Sequence, residues 1–315
     1  MAFTPLRIYQ DLKNNTLNKK SASELLLALI ENSEDDSVRL ESVKILEKIA
    51  LKDDVIFHIL ENLLISDSNG KVRAISAGYL KNSFLEKAIS PMKWAIQYES
   101  EYQCILTIIE TLIRIDNIES KSVLYNEIKK IRKRKFIDKA KQYRNIFRKS
   151  LKELSKIRKL KNLECRELAD ILINYKTIEA LIKRFFTLYF KLENGLVTAL
   201  DLSDLGWNVN VWKQKYAERI EEISEIIGLL NFKHLKTLDL SNNRIRNIKE
   251  LTNLESLTHL YLANNKIDIE NLEFFKNMPN LKFLDIHRNP IAEKINIQEI
   301  RQNMNVKIKK NLLFE

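Results

Sequence analysis

The sequence has little of the material from which turn-rich folds are built, because its 315 residues include only five glycines and four prolines. All-β proteins need many tight turns, and glycine and proline are the residues that such turns favour. Hydrophobic residues make up 45% of the chain and charged residues 30%, which is typical of a globular protein rather than a disordered one. We therefore expect long helices, few loops and about two domains of ordinary size.

Cysteine is also scarce, and its scarcity excludes two small-domain architectures. Cys104 and Cys165 are the only cysteines, and neither belongs to a C-x-x-C pair. Two separated cysteines cannot form a disulfide framework or a zinc ribbon. Because both lie among apolar residues of predicted helices, we expect two buried free thiols.

Segments that direct a chain to a membrane are missing as well. No apolar run approaches the ~20 residues that span a bilayer. The first 25 residues include four basic residues, with no apolar core and cleavage site behind them. Residue 2 is alanine, and the last residues, from Leu312 to Glu315, contain no lipidation signal. We expect a cytoplasmic protein without a transmembrane segment.

The motifs of common enzyme classes are absent too. The sequence contains no G-x-x-x-x-G-K-[ST], G-x-G-x-x-G, H-E-x-x-H or G-x-S-x-G. Of the four histidines, His259 and His287 could share one face of a sheet, but no third metal ligand accompanies them. The sequence therefore predicts a protein that is not an enzyme and has no cofactor and no metal site.

The net charge of +11 is concentrated in the middle of the chain. Residues 119–194 hold 22 basic and 9 acidic residues, a net charge of +13, whereas residues 1–118 carry −3 and residues 195–315 carry +1. Between Lys129 and Lys161, sixteen basic residues accompany only two acidic ones. This asymmetry bears on the choice of partner rather than on the fold.

The basic segment also has helical periodicity. Apolar residues recur at steps of three and four from Leu124 to Ile131, and again from Phe136 to Leu154. The five-residue step between these two runs crosses the basic residues 132–135. The pattern predicts two helices, or one kinked helix, with the basic cluster at the junction.

Several partners fit such a segment: the phosphate backbone of nucleic acid or of a ribosome, an acidic protein, an anionic membrane surface, or solvent alone. No zinc-finger spacing, RNP-type aromatic pair or G-x-x-G loop selects among them. The candidate phosphate-binding residues are Lys129, Lys130, Arg132, Lys133, Arg134, Lys135, Lys139, Lys141, Arg144, Arg148 and Lys149.

The N-terminal region contains an internal repeat. Residues 37–46 align with residues 71–80, and a weaker third copy begins at Glu101. An amphipathic stretch precedes each copy, so the repeat predicts three helix pairs. Paired helices with an acidic entry and a Val-Arg dipeptide resemble HEAT repeats over residues 18–118. The resemblance implies a rod-like α-solenoid in which each pair covers the apolar face of the next.

Two short signals mark where helices of this region begin. Ser90 and Pro91 predict a helix start, with the serine as N-cap and the proline in the first turn. Asp35 and Asp36 stand at the predicted start of another helix, where acidic side chains favour the positive end of the helix dipole.

The clearest pattern is L-x-x-L-x-L-x-x-N-x-I, which begins at Leu235, at Leu257 and, with isoleucine in place of the third leucine, at Leu281. A degenerate opening copy begins at Val197. These copies resemble leucine-rich repeats of the intracellular, SDS22-like subclass, over residues 195–300. The resemblance implies short parallel strands that point alternate leucines inward, followed by turns. The stacked asparagines are expected to form a ladder that satisfies backbone amides; they are Asn243, Asn265 and Asn289.

Two segments next to these repeats carry further expectations. The first full repeat is lengthened by a predicted amphipathic helix whose apolar face holds Ile220, Ile223, Ile227 and Leu230. Residues 160–194 are expected to form a hydrophobic junction that seals the first repeat, with Leu181, Phe185, Phe186, Leu188 and Phe190.

The resemblance implies that a protein partner binds the concave strand face. The outward positions there are Thr237, Asp239, Ser241, His259, Tyr261, Ala263, Phe283, Asp285 and His287. Tyr261 and Phe283 are expected to be exposed on neighbouring strands, and exposed aromatic residues often anchor interfaces. Aspartate after the second leucine is ordinary for this repeat, so Asp201, Asp239 and Asp285 are by themselves no evidence of an acidic stripe.

Together these patterns predict a mainly α protein with a small α/β part, an N-terminal HEAT-like α-solenoid joined to a short C-terminal leucine-rich-repeat solenoid. The expected parts are the helical repeats in residues 1–118, a basic helical segment in residues 119–194, and leucine-rich repeats with a C-terminal cap in residues 195–315. The predicted function is a non-enzymatic scaffold or adaptor that binds a protein. The alternative is a nucleic-acid or ribosome-associated protein that binds phosphate through residues 129–161. Oligomeric state is left open.

Overall fold

The computed structural model describes residues 4–133, 160–185, 188–203 and 219–294, and the backbone of residues 307–309. The chain divides into two compact units, Met1–Lys130 with Leu160–Ala169, and Ile131–Lys159 with Asp170–Glu315. The described residues are mainly helical, and a small sheet lies in the second unit, as predicted; the sheet is mixed rather than purely parallel. Within the described part of the chain, no helix has both the length and the apolar character that crossing a membrane requires.

The helices of the first unit are joined by short connections. They are α1 (Pro5–Lys13), α2 (Lys19–Asn32), α3 (Asp36–Ile49), α4 (Asp54–Ser66), α5 (Gly70–Ser83), α6 (Ile89–Ala95), α7 (Tyr102–Ile115) and α8 (Ile118–Lys133). A further helix, α9 (Cys165–Arg184), begins in the first unit and ends in the second. Helix α2 packs against α3, α4 against α5, and α6 against α7, which are the three pairs that the repeat predicts.

Side-chain caps set where several of these helices begin. Asn18, Asp35, Asp53 and Asn69 each accept a hydrogen bond from a backbone amide in the first turn of α2, α3, α4 and α5, respectively. Each such cap stabilises its helix by ~1 kcal/mol, because it satisfies an amide that has no partner within the helix. The predicted helix start at Asp35 is confirmed.

The predicted cap at Ser90 is wrong. Helix α6 begins one residue earlier, at Ile89, and no side chain caps it. The preceding 3-10 turn (Leu85–Lys87) delivers the chain to Ala88 in right-handed helical conformation, with φ −72° and ψ −18°. Because the chain enters α6 already helical, an extended capping residue has no place there. Pro91 still lies in the first turn, as predicted.

Both cysteines are buried free thiols, as predicted. The core of the first unit also encloses Tyr79, whose hydroxyl donates to the carbonyl oxygens of Leu46 and Leu51, each at 3.0 Å. Burial raises the pKa of Tyr79 to about 12, because the phenolate would lose its solvation. A buried tyrosine with a partnered hydroxyl holds the end of α3 against α5.

Two arginines link successive helix pairs. Arg39 of α3 donates from Nε and Nη2 to the carboxylate of Asp67, at 2.8 and 3.1 Å, and also contacts Asp36. Arg73 of α5 makes the corresponding paired bonds to Glu99, at 2.8 and 2.7 Å, and donates to the Asp67 carbonyl at 2.7 Å. Each arginine therefore joins the second helix of one pair to the turn between the two helices of the next pair.

The second unit contains a six-stranded sheet in which every strand pairs with the next one along the chain. The strands are β1 (Tyr189–Glu193), β2 (Leu196–Asp201), β3 (Thr237–Asp239), β4 (His259–Tyr261), β5 (Phe283–Asp285) and β6 (Lys307–Lys309). Strands β2 to β6 are parallel, whereas β1 and β2 form an antiparallel hairpin. Asn194 and Gly195, with φ of 53° and 84°, form its turn, which suits a two-residue hairpin loop.

The predicted asparagine ladder is confirmed. Asn265 accepts a hydrogen bond from the Ile245 amide at 3.0 Å and donates to the carbonyls of Leu240 and Leu262, both at 2.9 Å. Asparagines 243 and 289 make the same kind of bonds one repeat before and one repeat after. The ladder satisfies buried backbone groups that no strand or helix partner reaches.

The described part of the segment after β2 and the segment after β3 return to the next strand through three-residue turns, whereas the segments after β4 and β5 contain the short helices α10 (Leu272–Lys276) and α11 (Pro290–Lys294). In the first such segment, four successive hydrogen bonds run from each amide to the carbonyl three residues earlier, ending at Ile226, Leu229, Phe232 and Leu235. The next segment repeats this with Leu251, Leu254 and Leu257 and is therefore one turn shorter. Every third residue consequently points into the core.

The predicted amphipathic helix over Ile220 to Leu230 is wrong. The described part of this segment contains only the 3-10 turns Ile223–Glu225 and Leu229–Asn231. Ile220 and Ile223 are buried as predicted, but the burial continues at Ile226 and Leu229, while Leu230 is 41% exposed. The three-residue period, rather than 3.6, decides which side chains face the core.

Of the residues predicted to seal the first repeat, Leu181, Phe185 and Leu188 are buried. Phe190 is only half-buried, because it belongs to strand β1, and Phe186 lies outside the described residues. Asn174 of α9 accepts a hydrogen bond from the Val197 amide at 2.8 Å, which fixes this helix to the start of β2.

Candidate functional site

The three short parallel strands β3, β4 and β5 separate two sets of side chains. Their central leucines, at 238, 260 and 284, point into the core and are at most 1% exposed. Residues on either side of each leucine point to the opposite face. We call this the strand face, formed by Thr237, Asp239, His259, Tyr261, Phe283, Asp285 and His287. The structure brings these predicted residues together on one surface.

An aromatic cluster lies in the middle of the strand face. Phe283 stacks on His259 with ring centroids 6.1 Å apart and an interplanar angle of 25°. Tyr261 also packs against Phe283, with a centroid distance of 5.1 Å and an interplanar angle of 42°. All three rings are half-buried. They therefore combine a fixed geometry with exposed aromatic surface, which is the combination found in interface anchors.

Carboxylates lie on both sides of Tyr261. Strand pairing places Asp239 opposite it on one neighbouring strand and Asp285 opposite it on the other. Asp201 continues the row, since it pairs with Asp239. Neighbouring strands are ~4.8 Å apart, so the three acidic residues and Tyr261 form one short row across the sheet.

The acidic residues influence one another in this row. Burial raises the pKa of Asp239 above its usual range, and the negative charges of Asp201 and Asp285 raise it further. Hydrogen bonds from the side chain and amide of Ser241 oppose this shift but do not cancel it. Ionised Asp239 is therefore held in an environment that disfavours negative charge.

Asp285 is the most enclosed of these carboxylates, and only 4% of the residue is exposed. Its Oδ1 lies 2.5 Å from Nδ1 of His287 and accepts a hydrogen bond from the His287 amide at 3.2 Å. The histidine is thus oriented by the aspartate two residues before it. This pair forms the edge of the strand face next to the aromatic cluster.

The repeated sequence behind this face matches the family model of leucine-rich repeats twice, over residues 233–273 and 255–299. The match identifies a leucine-rich-repeat unit in residues 233–299. No curated protein matches the chain. The sheet extends this unit beyond the matched residues, because β1 and β2 precede it and the β2 strand pairs in register with the first matched strand.

Strand β1, at the edge of the sheet, adds one residue to the strand face that was not predicted from the sequence. Tyr189 of β1 pairs with Asp201 and is 64% exposed. Directly paired residues of antiparallel strands lie on the same face, so Tyr189 extends the row of Asp201, Asp239 and Tyr261. The Asn194-Gly195 dipeptide was a signal for this hairpin, and with it for β1.

The predicted phosphate-binding residues lie apart from the leucine-rich-repeat unit in the sequence, and most lie outside the described residues: Arg134, Lys135, Lys139, Lys141, Arg144, Arg148 and Lys149. Arg132 and Lys133 are the last residues of α8. Lys129 lies over the ring of Tyr125, 5.5 Å from its centroid, and Lys130 Nζ is 2.6 Å from a carboxylate oxygen of Glu127. The two described lysines thus contact side chains of their own helix.

Metal ligands do not cluster in the described part of the chain, where no group of three or more histidine, cysteine, aspartate or glutamate residues could hold an ion. On the leucine-rich-repeat unit, His259 contacts Thr258, and its ring stacks on Phe283. His287 contacts Asp285. The geometry of the strand face therefore suits recognition of another molecule by packing, hydrogen bonding and charge.

Proposed function

We propose that this protein is a non-enzymatic scaffold or adaptor that binds a protein partner through the strand face of its leucine-rich-repeat unit. The observation that carries the proposal is the aromatic cluster of His259, Phe283 and Tyr261, which is half-exposed on adjacent strands. Half-exposed aromatic rings in fixed positions lose little conformational entropy when a partner covers them. The parallel sheet and the asparagine ladder behind them hold the backbone in place.

Site-specific photo-crosslinking tests this proposal. A photoreactive amino acid at Thr237 lies on the strand face beside the register position of His259. The same amino acid at Thr252 lies in a 3-10 turn away from the strands and serves as the matched control. We expect a discrete adduct with a cellular protein from position 237 and none from position 252. The changes Tyr261→Ala and Phe283→Ala, made together, should abolish that adduct.

An equal adduct pattern from Thr237 and Thr252 would contradict the proposal, as would an adduct that persists without the two aromatic rings. Both results would mean that the strand face does not direct the interaction. Thermal unfolding of the double variant separates loss of binding from loss of fold, because both rings are only half-buried and their removal should leave the leucine core intact.

We also propose that α2 to α7 form HEAT-like repeats and offer a second docking surface. Arg39 and Arg73 occupy the same position in two successive pairs and make the same kind of paired bond to a carboxylate in the turn of the next pair. An exposed aromatic pair, Trp94 and Tyr98, lies on and just after α6 with ring centroids 4.8 Å apart. Crosslinkers placed in its vicinity test whether a partner covers this unit as well.

The alternative function is phosphate-backbone binding through residues 129–161. The observation that favours it is the sixteen basic residues of that segment, against two acidic ones. Fluorescence anisotropy with RNA and DNA at low and physiological salt tests it, with Lys129, Lys130, Lys133 and Lys135 changed to glutamate as the comparison. Binding that falls steeply with salt and is lost in the variant supports this function, whereas binding that ignores both contradicts it.

A further inference from the structure

The strand face carries a charge arrangement that says more about the partner than its aromatic cluster does. In register order across four strands, the row reads Tyr189, Asp201, Asp239 and Tyr261. Two neighbouring carboxylates thus lie between two aromatic side chains. With strands ~4.8 Å apart, the row spans roughly 15 Å. One long side chain of a partner, together with the residues next to it in the partner's chain, can cover this length.

Neither carboxylate has a cationic partner in the part of the chain that the structure describes. Asp201 accepts a hydrogen bond from the Ser203 amide at 2.9 Å, and Asp239 accepts one from the Ser241 amide at 2.8 Å. The nearby lysines of the hairpin and of the first matched repeat, Lys191 and Lys236, both pair with Glu193 instead. Two adjacent negative charges on a half-buried face repel each other and attract a cation.

We infer that this row binds a cationic side chain of the partner protein, preferably an arginine, between Asp201 and Asp239 and against Tyr261 and Tyr189. The inference rests on the proposed function, since it names the chemistry of the partner that the strand face takes. A guanidinium group is planar, donates to two carboxylates at once and stacks on aromatic rings. A lysine ammonium supplies the charge without the fork or the stacking surface.

The position of the proposed cation site within the row follows from the charges at the two ends of the row. At the far end, Asp285 contacts His287. At the near end, Asp201 and Asp239 are flanked by tyrosines rather than by basic residues. Among the described residues, the negative charge without a cationic partner therefore lies at Asp201 and Asp239. The protein as a whole carries +11, so a cationic ligand gains nothing from the overall charge and depends on this local site.

The test uses the full chain and a short fluorescein-labelled Gly-Ser peptide that contains several arginines. The matched peptide replaces each arginine with citrulline, which keeps the shape of the side chain and removes its charge. We expect the arginine peptide to bind at least about tenfold more tightly in fluorescence anisotropy, because charge-assisted bonds to desolvated carboxylates are lost with citrulline. A lysine peptide should bind with intermediate affinity.

Two variants and one control locate the effect. Asp239→Asn and Asp201→Asn each keep a side-chain oxygen that can accept the hydrogen bond from the backbone amide two residues later, so both variants should fold. Each should weaken binding of the arginine peptide by about tenfold. Glu255→Gln removes an exposed carboxylate from the turn before β4 and should change nothing. Equal affinity for the arginine and citrulline peptides, no binding of the arginine peptide, or unchanged affinity in both asparagine variants would each overturn the inference.

These outcomes differ from those that test the proposed function. An adduct at position 237 that needs Tyr261 and Phe283 but survives Asp239→Asn, together with no preference for the arginine peptide, overturns the inference and leaves the protein-binding function standing. Absence of the adduct at position 237 counts against the proposed function, and the preference for arginine over citrulline then decides the inference by itself.

Discussion

Replacing Asn265 with alanine tests whether the asparagine ladder holds the leucine-rich-repeat unit together. The side chain is buried and makes hydrogen bonds to four backbone groups, the Ile245 amide and the carbonyls of Leu240, Leu262 and, at a longer 3.3 Å, Ala263. The Ile245 amide loses its hydrogen-bond acceptor in the variant. The carbonyls of Leu240 and Leu262 lose one donor each, but each keeps a second donor, from Asn243 and Asn289 respectively.

The expected cost follows from this difference between the amide and the carbonyls. A buried amide without an acceptor costs ~1–3 kcal/mol, and each lost but replaceable bond costs ~0.5–1.5 kcal/mol. For the amide and the two carbonyls bonded at 2.9 Å, these ranges sum to ~2–6 kcal/mol. The middle of that range, ~4 kcal/mol, corresponds to roughly a thousandfold change in the opening equilibrium. The control is Asn253→Ala, because Asn253 is exposed and makes a single bond to the Glu250 carbonyl at 3.1 Å. We expect this control to cost less than ~0.5 kcal/mol.

Hydrogen exchange measured by mass spectrometry suits this test, because a chain with two units need not unfold in one step. Peptides from residues 233–294 should lose protection in Asn265→Ala, whereas peptides from residues 19–115 should not change. Asn265→Asp keeps the acceptor for Ile245 but turns a carboxylate toward two carbonyls, so it should destabilise the unit at least as strongly. If Asn265→Ala exchanged like Asn253→Ala, the ladder would not stabilise the unit as argued.

Three further predictions concern charged groups. Arg73→Met leaves Glu99 buried without its cation and should destabilise the first unit by ~3–5 kcal/mol in urea unfolding, whereas Lys93→Met, which breaks the exposed pair with Glu119, should cost at most ~1 kcal/mol. Burial disfavours ionised Glu99, but hydrogen bonds led by the one from Arg73 outweigh this effect and lower the pKa of Glu99 to about 2. The stability that ionised Glu99 contributes should therefore be complete above about pH 4.5 and be lost as the pH falls toward 2. Thermal unfolding of wild type and Arg73→Met across this pH range would contradict the reasoning if the difference between their melting temperatures stayed constant. Because the pKa of Asp239 is raised in the folded protein, its ionised form opposes folding at neutral pH. Asp239→Asn should therefore melt no lower than wild type at pH 7. The difference in melting temperature should disappear in acid, where the wild-type carboxyl takes up its proton.

The features that were predicted correctly from the sequence are those determined by hydrogen bonds to nearby backbone groups. An asparagine at a fixed offset from two leucines is required by a buried amide that has no other partner, so the spacing that places Asn243 also explains its bonds. Asp35 was likewise identifiable as a cap, because acidic and amide side chains at that point satisfy the first amides of α3. In both cases a few adjacent residues contain all the information.

The predicted helix over Ile220 to Leu230 failed because the two candidate periods are hard to separate over a short stretch. Steps of three and four fit an α-helix, yet an unbroken step of three from Ile220 to Leu238 fits successive 3-10 turns better. The next repeat shows the same step in Ile248, Leu251 and Leu254, which lie in three-residue turns. Comparison between repeats, rather than periodicity within one, contained the signal.

The positions of the strand face were predictable, but its chemistry was not. Alternation along each strand determines which side chains face outward, so Tyr261 and Phe283 could be named from spacing alone. The register of Tyr189 with Asp201 and the effect of burial on Asp239 depend on strands that are far apart in the sequence. Spacing within one repeat does not report how strands from different parts of the chain pack together.

The aspartates of the strand face explain why residue type alone was a poor guide to their role. Asp201, Asp239 and Asp285 each accept a hydrogen bond from the amide two residues later, which is a local structural reason for a short polar side chain at that position. Asparagine could meet this need without introducing charge, and the raised pKa of Asp239 shows that the charge is unfavourable in the free protein. In the proposed binding mode, a carboxylate that opposes folding where an amide would serve is the residue at which stability and recognition conflict. Asp239→Asn separates the two, because it should preserve the turn and the melting temperature while weakening the bond to a cationic partner.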